Sequence, residues 1–220
     1  MATGQSVTYI DSTDLLQPGH TIQETHNAAR RTDSTRTLKC IHCALARRIE
    51  LPSGSIDPAE FRAALSRVAT AVTVVATNGE HGIAGVTCSA VCSVCDTPAT
   101  VLVCVNRRSF ANGVIKGNGV LCVNWLGAEH SEISQVFSGV GELPMAHRFA
   151  QSQWGRLATG APHCSLALVA LDCRVAQAME VGTHSVFLAE VVKASISEAI
   201  EEPLVYCQRR YATTRPIILN

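Results

Sequence analysis

The alternation of apolar and polar positions becomes organised only near residue 56. Before it, residues 1–55 carry one aromatic, Tyr9, and polar clusters such as Asp11-Ser-Thr-Asp14 and Arg30-Arg-Thr-Asp-Ser-Thr35. Such a stretch buries too little apolar surface to offset the entropy of ordering itself. It is expected to be a mobile N-terminal extension, with a short helix near Cys43–Glu50. The domain is expected over residues 56–220. Asp57 is a good N-cap, Pro58 suits the first helical position, and Glu60 follows the cap by three. Phe61, Leu65 and Val68 then fall on one helical face. Next the period becomes strand-like. Strands are predicted over Val72–Thr77, Ile83–Val94, Thr100–Asn106, Val120–Leu126, Leu166–Met179, Ser185–Ala194 and Pro203–Cys207, with Asn78-Gly79 as a tight turn. Helices are predicted over Ala128–Phe137 and Pro144–Gln153. Short strands, a few helices and no regular βα alternation predict a mainly β barrel or sandwich.

Composition narrows the function. Lys+Arg and Asp+Glu are 18 each in 220 residues, so the formal net charge is zero. That argues against a basic nucleic-acid binder and against a protein held to anionic membranes. The mostly apolar runs fall short of the ~20 residues a membrane helix needs. Met1-Ala-Thr-Gly-Gln5 opens no basic and then apolar leader, so a cytoplasmic location is expected. Ten cysteines include two C-x-x-C pairs, Cys40-Ile-His-Cys43 and Cys92-Ser-Val-Cys95. The pairs lie too far apart for a zinc ribbon, which separates them by ~15–20 residues. Several other cysteines sit inside strand-like runs, where a free thiol behaves as a small hydrophobe. No metal site is expected. A metal-binding or interaction module built on the Cys pairs is the weakest of the functional readings.

Motifs of nucleotide-binding loops and of common hydrolases are absent. Four segments carry polar chemistry instead. Gly85-Val-Thr-Cys-Ser-Ala-Val-Cys-Ser93 is small and hydroxylated; Gly85 would let a flat ligand approach the backbone. An ordinary strand with small packing residues explains it equally well. Asn106-Arg107-Arg108-Ser109 suits a phosphate, through bidentate guanidinium contacts, a neutral donor and the start of a helix at Ser109. Gly182-Thr-His184 reads as a loop entering a strand. Gln208-Arg-Arg-Tyr211 follows the last strand. Each alone also reads as solvated surface.

Together, and in this order, these segments resemble the short-chain flavin reductase family. Ala90-Val-Cys-Ser-Val-Cys-Asp-Thr-Pro98, Gly117-Asn-Gly-Val-Leu-Cys-Val-Asn124 and Met145-Ala-His-Arg-Phe149 resemble its reductase components of two-component aromatic monooxygenases. Chlorophenol monooxygenase reductases look most alike, with 4-hydroxyphenylacetate and pyrimidine-degradation reductases nearby. The likeness runs from about Phe61 to Thr214. It implies a split β-barrel homodimer of the Greek-key, FMN-binding type. Such a protein binds FAD or FMN, oxidises NADH or NADPH, and releases reduced flavin to a separate flavin-dependent monooxygenase. A split-barrel flavoprotein that keeps its flavin and reduces another substrate, such as a corrinoid, is the alternative. By the resemblance, Thr87, Cys88, Ser89 and Ala90 line the flavin ring, with Ser93 near its phosphate. Asn106, Arg107 and Ser109 hold phosphate or ribityl oxygens, and Arg148 and Phe149 lie along the tail. Gly182, Thr183 and His184 meet the nicotinamide, His184 being the catalytic candidate, and Arg210 and Tyr211 close the pocket. Thr183 stands where many members carry Asp, so no carboxylate role is expected there.

Overall fold

The computed structural model describes residues 54–139, 143–150, 153–199 and 202–217. Most of the expected N-terminal extension, including the helix near Cys43–Glu50, lies outside the described residues. Helix α1 (Pro58–Leu65) starts as its sequence predicts: the Asp57 carboxylate accepts from the amides of Ala59 and Glu60. Its apolar face does not enter the core. Phe61 and Leu65 are 50% and 52% exposed.

Seven strands form one antiparallel sheet. They are β2 (Thr73–Gly79), β3 (Gly82–Cys88), β4 (Val91–Asp96), β5 (Ala99–Asn106), β6 (Val120–Leu126), β9 (Ala167–Val181) and β10 (His184–Ile196). Their order is β3-β2-β6-β9-β10-β5-β4. The two edges, β3 and β4, are consecutive in the chain and joined by Ser89 and Ala90 alone. A connection that short requires the sheet to curl. Cys104 N donates to Ala90 O (3.0 Å), and Cys88 Sγ to Cys104 O (3.3 Å), closing the seam against β5. The result is a mainly β barrel with few helices.

Helix α2 (Phe110–Asn118) packs against β2 and β3, and its Val114 and Ile115 join Val75, Val103, Leu121, Val123 and Phe187 in the barrel core. The next residue on β2, Val74, faces the opposite way, into a second cluster with Leu126, Ile133, Phe137 and Leu204. Thus β2 is buried on both faces, which accounts for its unbroken apolar run. The second cluster lies under α3 (Ser131–Phe137), which follows a 3₁₀ turn at Ala128–His130. The C-terminal end of α2 is tied down by Asn118. Its side chain accepts from His81 N (2.9 Å) and donates to Thr77 Oγ1 (3.1 Å) and Gly82 O (3.0 Å).

Several boundaries differ from expectation. The stretch Ile83–Val94 is two strands, because the chain leaves one sheet edge and enters the other at Ser89-Ala90. The hairpin turn is Glu80-His81, not Asn78-Gly79, since Gly79 still pairs with Gly82. The helix expected over Pro144–Gln153 is α4 (Met145–Ala150), and β7 (Trp154–Arg156) begins soon after. Strands β1 (Thr70–Ala71), β8 (Pro162–Cys164) and β12 (Arg210–Ala212) are too short for a periodic signal, whereas β11 (Val205–Cys207) falls within the strand predicted at Pro203–Cys207. No helix among the described residues is long and apolar enough to cross a membrane.

Candidate active site

Strand β5 is the axis of the site. Val101, Val103 and Val105 point into the core, so Leu102, Cys104 and Asn106 face outward. Asn106 pairs with His184, which in turn pairs with Val181. The corner Cys88-Ser89-Ala90 sits beside Cys104, two residues back along the same strand. The structure therefore brings the corner, Asn106 and the Gly182-Thr183-His184 turn into one neighbourhood. Asn106 Oδ1 accepts from Arg108 N (2.9 Å), an Asx turn that shapes the exit from β5. His184 is exposed, and its Nδ1 lies 2.9 Å from Thr183 Oγ1. The Cys88 side chain packs against the barrel core, where burial pushes its thiol up to about 12. It remains a neutral thiol, and only its backbone is offered to a ligand.

Beyond Asn106 the surface opens into a cleft of about 500 Å³, lined by Arg107, Arg108, Asn112, Gly113, Lys116, Gly182 and Thr183. Arg107 N donates to Thr183 O (2.9 Å) and its Nη1 to Gly182 O (3.3 Å). Glu180 lies against two of the three cations: Arg107 Nε is 2.6 Å from Oε2, and Lys116 Nζ bonds Oε1. The bond from Lys116, reinforced by Ser185 and by both positive charges, holds the Glu180 carboxyl below its ordinary range. Ser109 is the N-cap of α2 but makes no side-chain cap bond. Three cations against one carboxylate, two of them just before the start of α2 and Lys116 on its last turn, suit a phosphate-bearing ligand.

Other expected residues have different surroundings. Thr87 Oγ1 donates to Ser134 O (2.6 Å), and Ser134 Oγ lies 2.9 Å from Tyr211 Oη, so β3, α3 and β12 are joined on the far side of the corner. Phe149 belongs to an edge-to-face trio with Phe137 and Trp154, at centroid distances of 4.9 to 5.4 Å. Gly85 serves that trio: a Cβ there would lie 2.7 Å from Phe137 Cε1 and 3.1 Å from Phe149 Cζ. The close approach at Gly85 is by these rings, not by a ligand. Arg148 Nε donates to Leu143 O (2.9 Å). Arg210 and Ser93 are exposed, on β12 and on the edge strand β4.

A model of the flavin reductase-like domain matches residues 65–215. The chain belongs to the flavin reductase-like family. Among curated members, an FMN reductase (NADH), RutF, of Ancylobacter novellus is 46% identical over 157 residues, covering 71% of this chain and 85% of that one. Flavin reductase PheA2 superposes with a TM-score of 0.66 at 28% identity, over 73% of this chain and 100% of PheA2. BorF, the flavin reductase component of a bacterial two-component tryptophan halogenase, superposes with a TM-score of 0.67 at 27% identity, over 73% of this chain and all of BorF.

In this flavin reductase-like chain, sequence reasoning read Arg108 as part of the phosphate-suited segment Asn106–Ser109 but missed Asn112, Gly113, Lys116 and Glu180 as cleft residues. A helix begun at Ser109 places Asn112, Gly113 and Lys116 within about one turn of each other, so continuing that helix would have found them. Glu180 gave one weak signal, a carboxylate just before the Gly182 turn.

Proposed function

We propose that this NADH-dependent flavin reductase takes FMN as its flavin, and passes the reduced flavin to a separate flavin-dependent monooxygenase. The observation that carries the site assignment is the continuity of the corner Cys88–Ala90, the Asn106–His184 pair and the cationic cleft. A flat ring fits the corner and its phosphate fits the cleft. That the curated relatives are NADH-dependent FMN reductases supports FMN and NADH. The resemblance of the sequence to aromatic monooxygenase reductases supports an aromatic substrate for the receiving oxygenase.

A bound flavin supplies the hydride acceptor and NADH the donor. The protein has to hold two flat rings in register and exclude water between them. Backbone groups of Ser89 and Ala90 hold the flavin ring, and Thr87, ordered by Ser134, borders it. Asn106 shapes the turn that presents Arg107 and Ser109 to the phosphate. By the resemblance, Ser93, Arg148, Phe149, Arg210 and Tyr211 would surround the remainder of the flavin, although Phe149 is packed against Phe137 and Trp154 and none of the five lines the cleft. Gly182 and Thr183 carry His184 to the nicotinamide. No strong acid or base is required, which fits a site whose thiol is held neutral.

A second copy of the chain completes the site. Asn106 and His184 share the outer sheet face with Cys92, Leu102, Cys104, Val186, Leu188, Met179 and Val181, by the pairing register of β4, β5, β10 and β9. This strip is mostly apolar, with Gln177 set opposite Leu188, and partly exposed, with Met179 at 41% and Val181 at 50%. Covering it favours a homodimer. The fold unit is the domain beginning at residue 56.

The test is anaerobic absorbance. Protein is mixed with FMN and then NADH, and loss of the flavin's visible band is followed against a no-protein control. Repeated turnovers of added FMN are expected. No bleaching beyond the control refutes the reading. Flavin retained through gel filtration and reduced only stoichiometrically assigns a flavin-keeping protein. Arg107→Ala should weaken FMN binding about tenfold, the size of one lost charge-assisted contact, while slowing reduction of bound flavin less; unchanged affinity in a folded variant removes the cleft from the site.

A further inference from the structure

Glu180 stands on the last residues of β9 and touches everything that shapes the cleft. Its two oxygens engage Arg107, from the β5–α2 turn, and Lys116, from the last turn of α2. From beneath, the hydroxyl of buried Ser185 lies 3.1 Å from Oε1. Ser185 Oγ is also 3.3 Å from Asn112 Oδ1, and Asn112 Nδ2 donates to Val105 O (3.0 Å). The carboxylate thus joins a strand end, a turn and a helix. Arg107 is meanwhile held against the hairpin by Gly182 O and Thr183 O. Its side chain is still 53% exposed, so it lines the cleft while paired. An arginine fixed by one carboxylate loses less rotamer freedom when it meets a ligand.

We propose that Glu180 is a positioning residue: by bridging Arg107 and Lys116 it sets the guanidinium, and the Gly182-Thr183-His184 turn with it, for the phosphate of a nucleotide. This rests on the reading of the cleft given above. It opposes a simpler electrostatic view. If Glu180 were only a counter-charge, removing it would leave the cleft more positive and bind anions more tightly.

The experiment measures the Kd for FMN by fluorescence quenching, and KM and kcat for NADH, in the wild type, Glu180→Gln, Glu180→Asp, Arg107→Ala and the double variant Glu180→Gln/Arg107→Ala. The FMN and NADH arms distinguish whose phosphate occupies the cleft. Each half-exposed ion pair contributes a modest amount, so Glu180→Gln should raise one of the two binding constants about three- to tenfold, with kcat changed less. Glu180→Asp should recover part of the loss, since its shorter carboxylate keeps the charge. The double variant should bind no more weakly than Arg107→Ala alone, because Glu180 acts through Arg107. Tighter binding by Glu180→Gln, or effects that multiply in the double variant, overturns the proposal. So does unchanged binding in Glu180→Gln when Arg107→Ala binds weakly, and there the cleft reading survives. Unchanged binding of both ligands in Arg107→Ala removes the cleft reading and this proposal with it. If Glu180→Gln does not fold, Glu180→Met, of similar size and uncharged, breaks the same bridge and is judged by the same outcomes.

Discussion

Replacing Gly85 by alanine separates two roles for a glycine in a flavin-binding strand. If the residue clears room for a ligand, alanine should weaken flavin binding and leave stability alone. The structure gives the opposite expectation. The new Cβ would lie 2.7 and 2.8 Å from Phe137 ring carbons, where ordinary contact begins at 3.4 Å. Phe137 is 2% exposed and held edge-to-face by Phe149 and Trp154. The ring therefore has to retreat by about 0.7 Å into filled space, and overpacking of this kind costs about 1–3 kcal/mol. Alanine returns roughly 0.5–1 kcal/mol by restricting the unfolded chain. At the middle of both ranges the net loss is about 1.3 kcal/mol, which should lower Tm by about 3–5 °C for a domain of this size. Thermal melts with and without FMN, together with the KM for FMN, measure both quantities. Phe137→Leu in the Gly85→Ala background should recover part of the loss. An unchanged Tm with a raised KM for FMN would refute the packing argument and return Gly85 to the ligand.

His184→Ala should lower kcat with NADH about tenfold, as loss of an orienting contact does, while the FMN Kd holds; normal NADH kinetics would remove His184 from the site. Burial lifts the Cys173 thiol from 9.0 to about 12, so the folded state keeps a proton that the unfolded chain gives up. Its contribution to stability is complete below pH 9 and is lost as pH rises from 9 toward 12, by up to about 1.4 kcal/mol per pH unit. Urea midpoints at pH 8 and 10.5 should show a smaller drop in Cys173→Ala than in the wild type; equal drops exclude this thiol. Deleting residues 1–54 should leave FMN reduction within about twofold of the full chain, since that sequence carries too few apolar residues to form core; loss of folding on deletion would place part of the core in that segment.

The sequence announced its locally encoded features and hid its long-range ones. The start of α1 was legible because Asp57 and Pro58 act within one turn. Six of the longer strands had alternating or continuous apolar runs. The corner at Ser89-Ala90 was not legible, since small residues there continue the run and only the closing of the sheet breaks it. The turn at Glu80-His81 carries no usual turn dipeptide, whereas Asn78-Gly79 does and yet remains in the strand. Gly85 looked like room for a ligand because its true neighbour, Phe137, is distant in sequence. Asn106, Arg107 and His184 stood out as polar residues at strand ends and as matches to the resemblance, and the pairing of β5 with β10 brings them together. Glu180 was missed because Lys116 and Arg107 reach it only after β9 and β10 have paired.

Helix α2 is anchored at both ends by different parts of the chain. Its start forms the rim of the cleft. Its end is gripped by the β2–β3 hairpin through Asn118, and a Cβ at Gly117 would lie 2.4 Å from the His81 ring. On the proposed reading, mutational drift in that remote hairpin is not neutral with respect to the nucleotide, because a displaced turn shifts a nine-residue rod that carries Lys116 on its last turn and has Arg107 and Arg108 just before its start. Laboratory evolution toward a different cofactor has two starting points in this fold. One is the rim itself, at Arg108. The other is the pair His81 and Asn118, which lies outside the cleft lining and fixes the far end of the helix that borders it.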